Sequence, residues 1–327
     1  MKLLCKIIFA GLFFCGTSAC SYFAQDTQVA DPDFTPKNTH RTFSEQNSPV
    51  VYVDEAHHNF LTKNGRYKPF SQVLVSDGYT VKPNKKVFNL DYLKQADILV
   101  IANALDKDRQ DWTPPFGDAL TSQEISAVKK WVLQGGSLFL IVDHNPFPKA
   151  IENLAVAFGF EFSNGHVGDA IFRIEDNTLA QNVITGGTTA SQSELGAEEL
   201  IPSLMQGFTR RVASLDSITR VKTFGGSAFR APQNAISLLT LGKGAVSITP
   251  AIPFQVNANT PRVSVEGWSQ GAVLQIGKGR VAVFAEGMMF SSQLDTKTGK
   301  KYGLTSMGGE QNELFLLNVM HWLSGTI

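Results

Sequence analysis

The 327-residue chain contains few cysteines, and Cys5, Cys15 and Cys20 are all of them. No thiol lies beyond residue 20, which excludes a disulfide, a cysteine-ligated zinc site and a cysteine nucleophile from the predicted folded region. The chain also lacks an excess of charge of either sign, with 29 basic and 29 acidic residues, and has no basic block. Because nucleic-acid binding depends on a strong positive potential, the sequence predicts no nucleic-acid partner.

The first 20 residues have the pattern of an export signal. Two lysines flank the start of an apolar run, residues 7–14, that is too short to span a bilayer. Small residues then precede Cys20, as in bacterial lipoprotein signals, whose cysteine is acylated and becomes the first mature residue. We therefore expect Cys20 to be a lipid anchor on the membrane, and Ser21 favours the periplasmic face of the outer membrane. Cleavage near Ala19, giving a secreted or periplasmic protein, is the alternative.

The rest of the chain divides by composition. Residues 21–48 are polar, contain prolines and carry few large apolar side chains, so we predict a flexible tether. Residues 49–327 then suffice for one large domain. Alternating strand and helix patterns predict an α/β domain with a doubly wound, mostly parallel sheet. Between about 165 and 268, short strand-like runs predict an inserted β-rich subregion, with one helix near Glu194–Met205.

The helix predicted from Thr121 to Gln134 has the clearest signals. Thr121 and Glu124 fit a capping box, an apolar stripe follows at helical spacing, and glycines end the pattern. Near the C-terminus, residues 272–285 predict a hairpin around Gly277-Lys278-Gly279, and residues 310–323 predict a last helix.

Polar and ionisable side chains follow three of the predicted strands, at residues 50–53, 137–142 and 280–285. Ligands bind at the carboxyl ends of the strands in doubly wound sheets. The sequence therefore predicts a pocket for a small polar ligand, or a contact with an envelope protein. The candidate residues are Asp54, Glu55, His57, His58, Asn59, Asp143, His144 and Glu286.

Histidine and carboxylate side chains also suit a divalent metal. In this alternative His57, His144 and Asp143 would hold the metal or act as general acid and base of a hydrolase, and Glu286 would orient a histidine. Their spacing matches no diagnostic metal motif, and Asp143 could equally bond the backbone at the start of a helix. We therefore expect no cofactor, with a divalent metal as the alternative.

Several features of the chain occur together in one group of known proteins. They are the helix 121–134, the strand ending at Asp143-His144, the run Gly279–Glu286, and Asn312, Asn318, Trp322 and Leu323 on the last helix. In these features the chain resembles uncharacterised bacterial proteins of the class I glutamine amidotransferase-like superfamily, relatives of GldG-type and trehalose-utilisation-type domains. The resemblance covers about residues 49–164 and 270–325 and implies a flavodoxin-like sheet.

The resemblance does not imply amidotransferase activity. True amidotransferases place a cysteine on the turn after the strand that here ends at Val142, whereas this chain has Asp143-His144-Asn145 at that position. The chain therefore resembles cysteine-less relatives that bind or act as scaffolds. We expect an envelope lipoprotein whose non-catalytic domain binds a small polar ligand, a glycan or a partner protein.

Overall fold

The computed structural model describes residues 27–109, 112–186 and 217–327. The predicted signal with Cys20, the start of the predicted tether and the helix expected near Glu194–Met205 lie outside these ranges. No helix within them is long and apolar enough to cross a membrane.

The described chain alternates strands and helices in its first half and is mainly β in its second half. The strands are β1 (Gln28–Ala30), β2 (Val50–Asp54), β3 (Thr80–Asn84), β4 (Ile98–Ala102), β5 (Ser137–Ile141), β6 (Glu161–Ser163), β7 (Ala170–Arg173), β8 (Arg220–Thr223), β9 (Ala228–Arg230), β10 (Ile236–Thr240), β11 (Val246–Ile248), β12 (Arg262–Ser264), β13 (Ser269–Ile276), β14 (Gly279–Phe284), β15 (Ser292–Asp295) and β16 (Lys301–Gly303). The helices are α1 (Lys68–Asp77), α2 (Leu90–Leu93), α3 (Ser122–Leu133), α4 (Phe147–Ala157) and α5 (Asn312–Ser324).

A large mixed sheet forms the centre of the domain. Its strand order is β3-β2-β4-β5-β14-β13-β9-β6, and β10 also pairs with β13. The strands from β3 to β14 are parallel to one another, whereas the strands beyond β14 pair antiparallel. This arrangement confirms the predicted α/β class with a largely parallel sheet.

Helices cover both faces of the parallel strands. Since alternate strand residues point to opposite faces, neighbouring residues of one strand pack against different helices. Phe139 and Ile141 belong to a core shared with α1 and α5, whereas Leu138 and Leu140 belong to a core shared with α2, α3 and α4. Strands buried on both faces read as continuous apolar runs, which is the pattern that β4 and β5 show in the sequence. The capping box of α3 also forms as predicted, with Thr121 as the N-cap and Glu124 at the third helical position.

The predicted insertion, residues 165–268, contributes to the main sheet as well as to smaller ones. β9 and β10 both pair with β13 and so extend the central sheet. β7 with β8, and β11 with β12, form two-stranded antiparallel sheets. Some strands of this β-rich segment therefore extend the central sheet.

Part of the segment predicted to be a flexible tether is bound to the domain. β1 pairs antiparallel with β15, in a three-stranded sheet that β16 completes. Phe34 is 5 % exposed and belongs to a hydrophobic core. The backbone N–H groups of Lys37 and Asn38 donate to Glu313 Oε1 at 2.7 and 2.9 Å. Backbone pairing and one aromatic side chain thus hold a segment whose polar composition predicted no attachment.

Candidate ligand-binding cleft

A cleft of about 610 Å³ lies at the carboxyl edge of the parallel strands. Loops after four of these strands contribute to it: Phe60 and Leu61 follow β2, Asn103 follows β4, Asp143 and His144 follow β5, and Met288 follows β14. A second cavity of similar volume lies at the opposite edge, around Asp97 and Ser137, and no histidine lines it. The first cleft therefore occupies the edge at which doubly wound sheets bind ligands.

Three aromatic rings form one wall of the cleft. Phe60, Trp112 and Phe147 pack against one another, with each pair of ring centroids 5.7 Å apart. The ring of Phe254 lies 4.8 Å from that of His144 and is 72 % exposed. Such a large exposed aromatic surface beside a polar group favours the binding of an organic molecule with an apolar face.

Polar side chains lie next to this aromatic wall. The backbone N–H of Asp143 donates to Asn103 Oδ1, and the carboxylate of Asp143 accepts from the backbone N–H of His144, both at 2.8 Å. His144 Nδ1 lies 2.8 Å from the carbonyl of Asn145. Because a carbonyl only accepts, Nδ1 carries the proton, and Nε2 is the acceptor of the neutral ring. The loop after β5 thus holds Asp143 and His144 in fixed positions.

His166 is the second histidine of the cleft, with its ring 5.9 Å from that of His144. Its backbone exchanges hydrogen bonds with Ile248, which fixes the position of the loop. Burial, followed by the nearby His144, lowers the pKa of His166 below 6.5, so that its ring is neutral at neutral pH. A neutral imidazole offers one donor and one acceptor to a ligand.

Glu286 lies next to Asp143 but does not line the cleft. It is fully buried, and its two oxygens accept the backbone N–H groups of Met288 and Met289 at 2.7 and 2.8 Å. Burial, followed by the charge of Asp143, raises the pKa of Glu286 well above its ordinary value. Gly226 packs closely here, since a Cβ atom would lie 2.9 Å from the Cβ of Glu286. A glycine is thus needed beside this carboxyl.

His57 belongs to a separate buried network. Its Nδ1 lies 2.8 Å from Asp54 Oδ2, and its Nε2 lies 2.8 Å from Glu124 Oε1. Burial alone lowers the pKa of His57, but the bonds and charges of the two carboxylates outweigh this effect and raise it above 6.5. Asn59 also accepts the His57 backbone N–H. Because both ring nitrogens are bonded to carboxylates, His57 has no lone pair with which to bind a metal.

The remaining predicted residues also lie outside the cleft. Glu55 accepts the backbone N–H of Lys63 at 3.0 Å, and His58 is exposed to solvent. Of the predicted pocket residues the structure therefore brings Asp143 and His144 to the cleft, with Glu286 behind them, and leaves the Asp54–Asn59 segment elsewhere. In the described ranges no three His, Asp, Glu or Cys side chains are grouped so that they could share a metal ion.

The cleft also contains residues outside the pocket that the sequence predicted. Arg66 packs over the ring of Phe60, with its guanidinium carbon 4.4 Å from the centroid. His166 follows a glycine in a polar loop, a weak signal that its proximity to Asp169 only slightly strengthens. Gln293 lies in β15, and no sequence pattern marks it. These residues come from segments far apart in the chain, which explains why spacing alone could not group them.

Comparisons with known proteins find a shared fold and no family. No family model matches the chain, and no curated protein matches it. Similar solved structures include the N-terminal domain of mmIFT52, at 14% identity and a TM-score of 0.51 over 84% of this chain and 97% of that chain. They also include the cytoplasmic protein STM1381 from Salmonella typhimurium LT2, at 13% identity and 0.45 over 84% and 98%. A third is a ThuA-like protein from Bacteroides uniformis ATCC 8492, at 11% identity and 0.42 over 90% and 95%.

The likeness to the mmIFT52 domain identifies a shared fold alone, given the low identity. The chain is thus similar in fold to the mmIFT52 domain, and the comparisons assign it no activity.

Proposed function

We propose that this chain is a cell-envelope lipoprotein whose domain binds a glycan in the cleft at the carboxyl edge of the sheet. The observation that carries this proposal is the combination of an aromatic wall with hydrogen-bonding side chains in one cleft. A sugar ring has an apolar C–H face and a rim of hydroxyl groups. Aromatic rings match the first, while Asp143, His144 and His166 match the second.

We further propose that the domain is flavodoxin-like and related to the glutamine amidotransferase-like superfamily. The support is the order of its parallel strands, in which the second, first, third, fourth and fifth along the chain lie side by side as β3, β2, β4, β5 and β14. This is the order of flavodoxin-like sheets, whose ligands bind where the strand order reverses. The loops after β2 and β4 lie at that point, and both contribute to the cleft.

The domain carries out no glutamine hydrolysis in this proposal. The turn after β5, where the related enzymes have a cysteine, consists of Asp143, His144 and Asn145. The side chain of Asn145 is buried and donates to the carbonyl of Pro250 at 3.1 Å, a structural contact. None of these side chains can replace a thiolate as the attacking nucleophile in the formation of a thioester.

A hydrolase acting on an envelope substrate is the second candidate, and one observation favours it. Glu286 and Asp143 are neighbouring carboxyls, and burial together with the charge of Asp143 raises the pKa of Glu286 well above its ordinary value, as in a general acid. However, both oxygens of Glu286 accept backbone N–H groups inside the protein, which leaves it poorly exposed to a substrate. The metal-dependent form has less support, because His57 is bonded between Asp54 and Glu124.

Replacement of Trp112 tests the proposed binding. The purified full-length protein in detergent is titrated calorimetrically with a panel of oligosaccharides, and Trp112→Leu should weaken binding of the best ligand about tenfold or more, because one aromatic wall residue is lost. Trp268→Leu is the matched control, since Trp268 packs under Arg230 and does not line the cleft.

Binding by Trp268→Leu should stay within about twofold of wild type. If the wild-type protein binds none of the sugars, or if Trp112→Leu binds as wild type does, the proposal is wrong. Cleavage of a bound glycan during the titration would favour the hydrolase.

A further inference from the structure

The side-chain amide of Gln293 is buried and has no hydrogen-bond partner among the residues that the structure describes. Gln293 is 1 % exposed, and neither its Oε1 nor its Nε2 bonds to any group in the described chain. Gln270, also fully buried, differs: its Nε2 donates to the carbonyls of Gly225 and Ser227, and its Oε1 accepts from Thr223 Oγ1. Buried amides are normally satisfied in this second way, so an unsatisfied amide calls for an explanation.

Gln293 lines the cleft from the central strand of a three-stranded sheet. In β15 it pairs with Ala30 of β1 on one side and with Tyr302 of β16 on the other. Residues paired across antiparallel strands point to the same face. On this face Tyr302 packs against Phe224, and both Phe224 and Gln293 line the cleft.

His166 has an unsatisfied atom in the same cleft. Its Nδ1 is buried and has no hydrogen-bond partner within the described residues. Gly225 lies against the imidazole, where a Cβ atom would be 3.2 Å from Cε1. Gln293 and His166 both line this cleft, and together they have three buried polar atoms without a partner in the described residues, among them both a donor and an acceptor.

We propose that Gln293 and His166 form a subsite for the acetamido group of an N-acetylated sugar. An amide carries an N–H donor and a C=O acceptor in one plane, so it can bond to both ends of the glutamine amide or to one end and the imidazole. A carboxylate would leave Gln293 Oε1 unsatisfied, and a cation would leave Nε2 unsatisfied. Phe224 and Met288 supply apolar surface for the acetyl methyl group.

This inference rests on the proposed glycan binding and adds the substituent that the cleft selects. A peptide also carries amides, but the half-buried rings of Phe60 and Trp112 and the exposed ring of Phe254 offer aromatic faces on which a sugar ring stacks. The observations therefore favour the sugar, and a peptide is an outcome of the test.

Three related trisaccharides distinguish the possibilities by calorimetry with the full-length protein in detergent. They are triacetylchitotriose, its deacetylated form and cellotriose, which share a backbone and differ in the group at carbon 2. We expect triacetylchitotriose to bind at least about tenfold more tightly than the other two, because they leave buried polar atoms unpaired. In Gln293→Leu this preference should fall below about twofold, while the affinity for cellotriose stays unchanged.

Stability measurements separate a binding role from a structural one. Gln293→Leu removes no hydrogen bond, so its urea midpoint should equal or exceed that of wild type, whereas Gln270→Leu should lower the midpoint because three bonds are lost. Equal binding of all three sugars by wild type would overturn the acetamido subsite and leave glycan binding standing. Binding of none of the three would also overturn the acetamido subsite, and glycan binding would still be decided by the oligosaccharide panel. Binding of a diacetylated tripeptide but of no sugar would overturn both proposals.

Discussion

Replacing His57 with glutamine should destabilise the domain by about 3–5 kcal/mol, because the imidazole lies between two buried carboxylates. Asp54 is fully buried and Glu124 is 6 % exposed, so water cannot replace the lost partner. Glutamine has a single amide nitrogen, so it can donate to only one of the two carboxylates, and the other loses a charge-assisted hydrogen bond worth about 1.5–3 kcal/mol. Asn84 would still donate to Asp54, and Thr121 would still donate to Glu124, which favours the lower part of the range.

Urea unfolding followed by circular dichroism at pH 6 measures this loss. His58→Asn is the matched control, because His58 is the next residue, is exposed and has a positive φ of 48°, a conformation that asparagine tolerates. Its free energy of unfolding should stay within about 0.5 kcal/mol of wild type. A loss below about 1 kcal/mol in His57→Gln would refute the idea that the ion pairs join the strand end to the helix.

The pH dependence of the same network provides a second check. The folded pKa of His57 is raised above 6.5, so its contribution to stability is complete below pH 6.5 and decreases as the pH rises through the folded pKa. Burial raises the pKa of Glu124, but hydrogen bonds from Thr121 and His57 outweigh this and lower it below 4.5, so its contribution decreases as the pH falls through the lowered value. The network should therefore be strongest between about pH 4.5 and 6.5, and the difference in stability between wild type and His57→Gln should narrow above this window.

Two further predictions concern the N-terminal part of the chain. Cys20→Ser should move the protein from the membrane fraction to the soluble fraction of fractionated cells, and a variant that stays in the membrane fraction would contradict the proposed lipid anchor. Phe34→Ala should lower the free energy of unfolding by about 3 kcal/mol in urea titrations, because Phe34 is buried in a hydrophobic core. Val29→Ala, at a residue 43 % exposed, is the control with an expected change within about 0.5 kcal/mol, and equal stability of both variants would mean that this segment is not bound to the domain.

The central sheet could be predicted from the sequence because its signals are local. β4 and β5 are short apolar runs, as strands buried on both faces must be, and each is followed by a polar turn. The capping box of α3 lies within four residues, so Thr121 and Glu124 could be recognised without knowledge of the fold. The attachment of residues 28–38 had no such signal, since it depends on backbone pairing with β15.

The candidate site could be predicted only in part, because its partners are distant in the chain. Glu124 was recognised as a capping residue, but its other oxygen bonds His57, which lies 67 positions earlier. Because of this contact, the segment that contains His57 and His58 lies outside the cleft. Gln293 reaches the cleft from a strand whose register with β1 and β16 no sequence pattern specifies. Asp143 and His144 directly follow a predicted strand, and local reasoning sufficed to find them.

The short chain between the predicted lipid anchor and the cleft limits how far from the membrane the protein could bind a ligand. Thr27 and Gln28 line the cleft, and Cys20 lies only a short way before them in the sequence. An extended chain spans at most about 3.6 Å per residue, so an acyl group on Cys20 would keep the mouth of the cleft within roughly 25 Å of the bilayer surface. An anchored form of the protein would then sample only a thin layer beside its membrane, and a glycan would have to enter that layer to be bound.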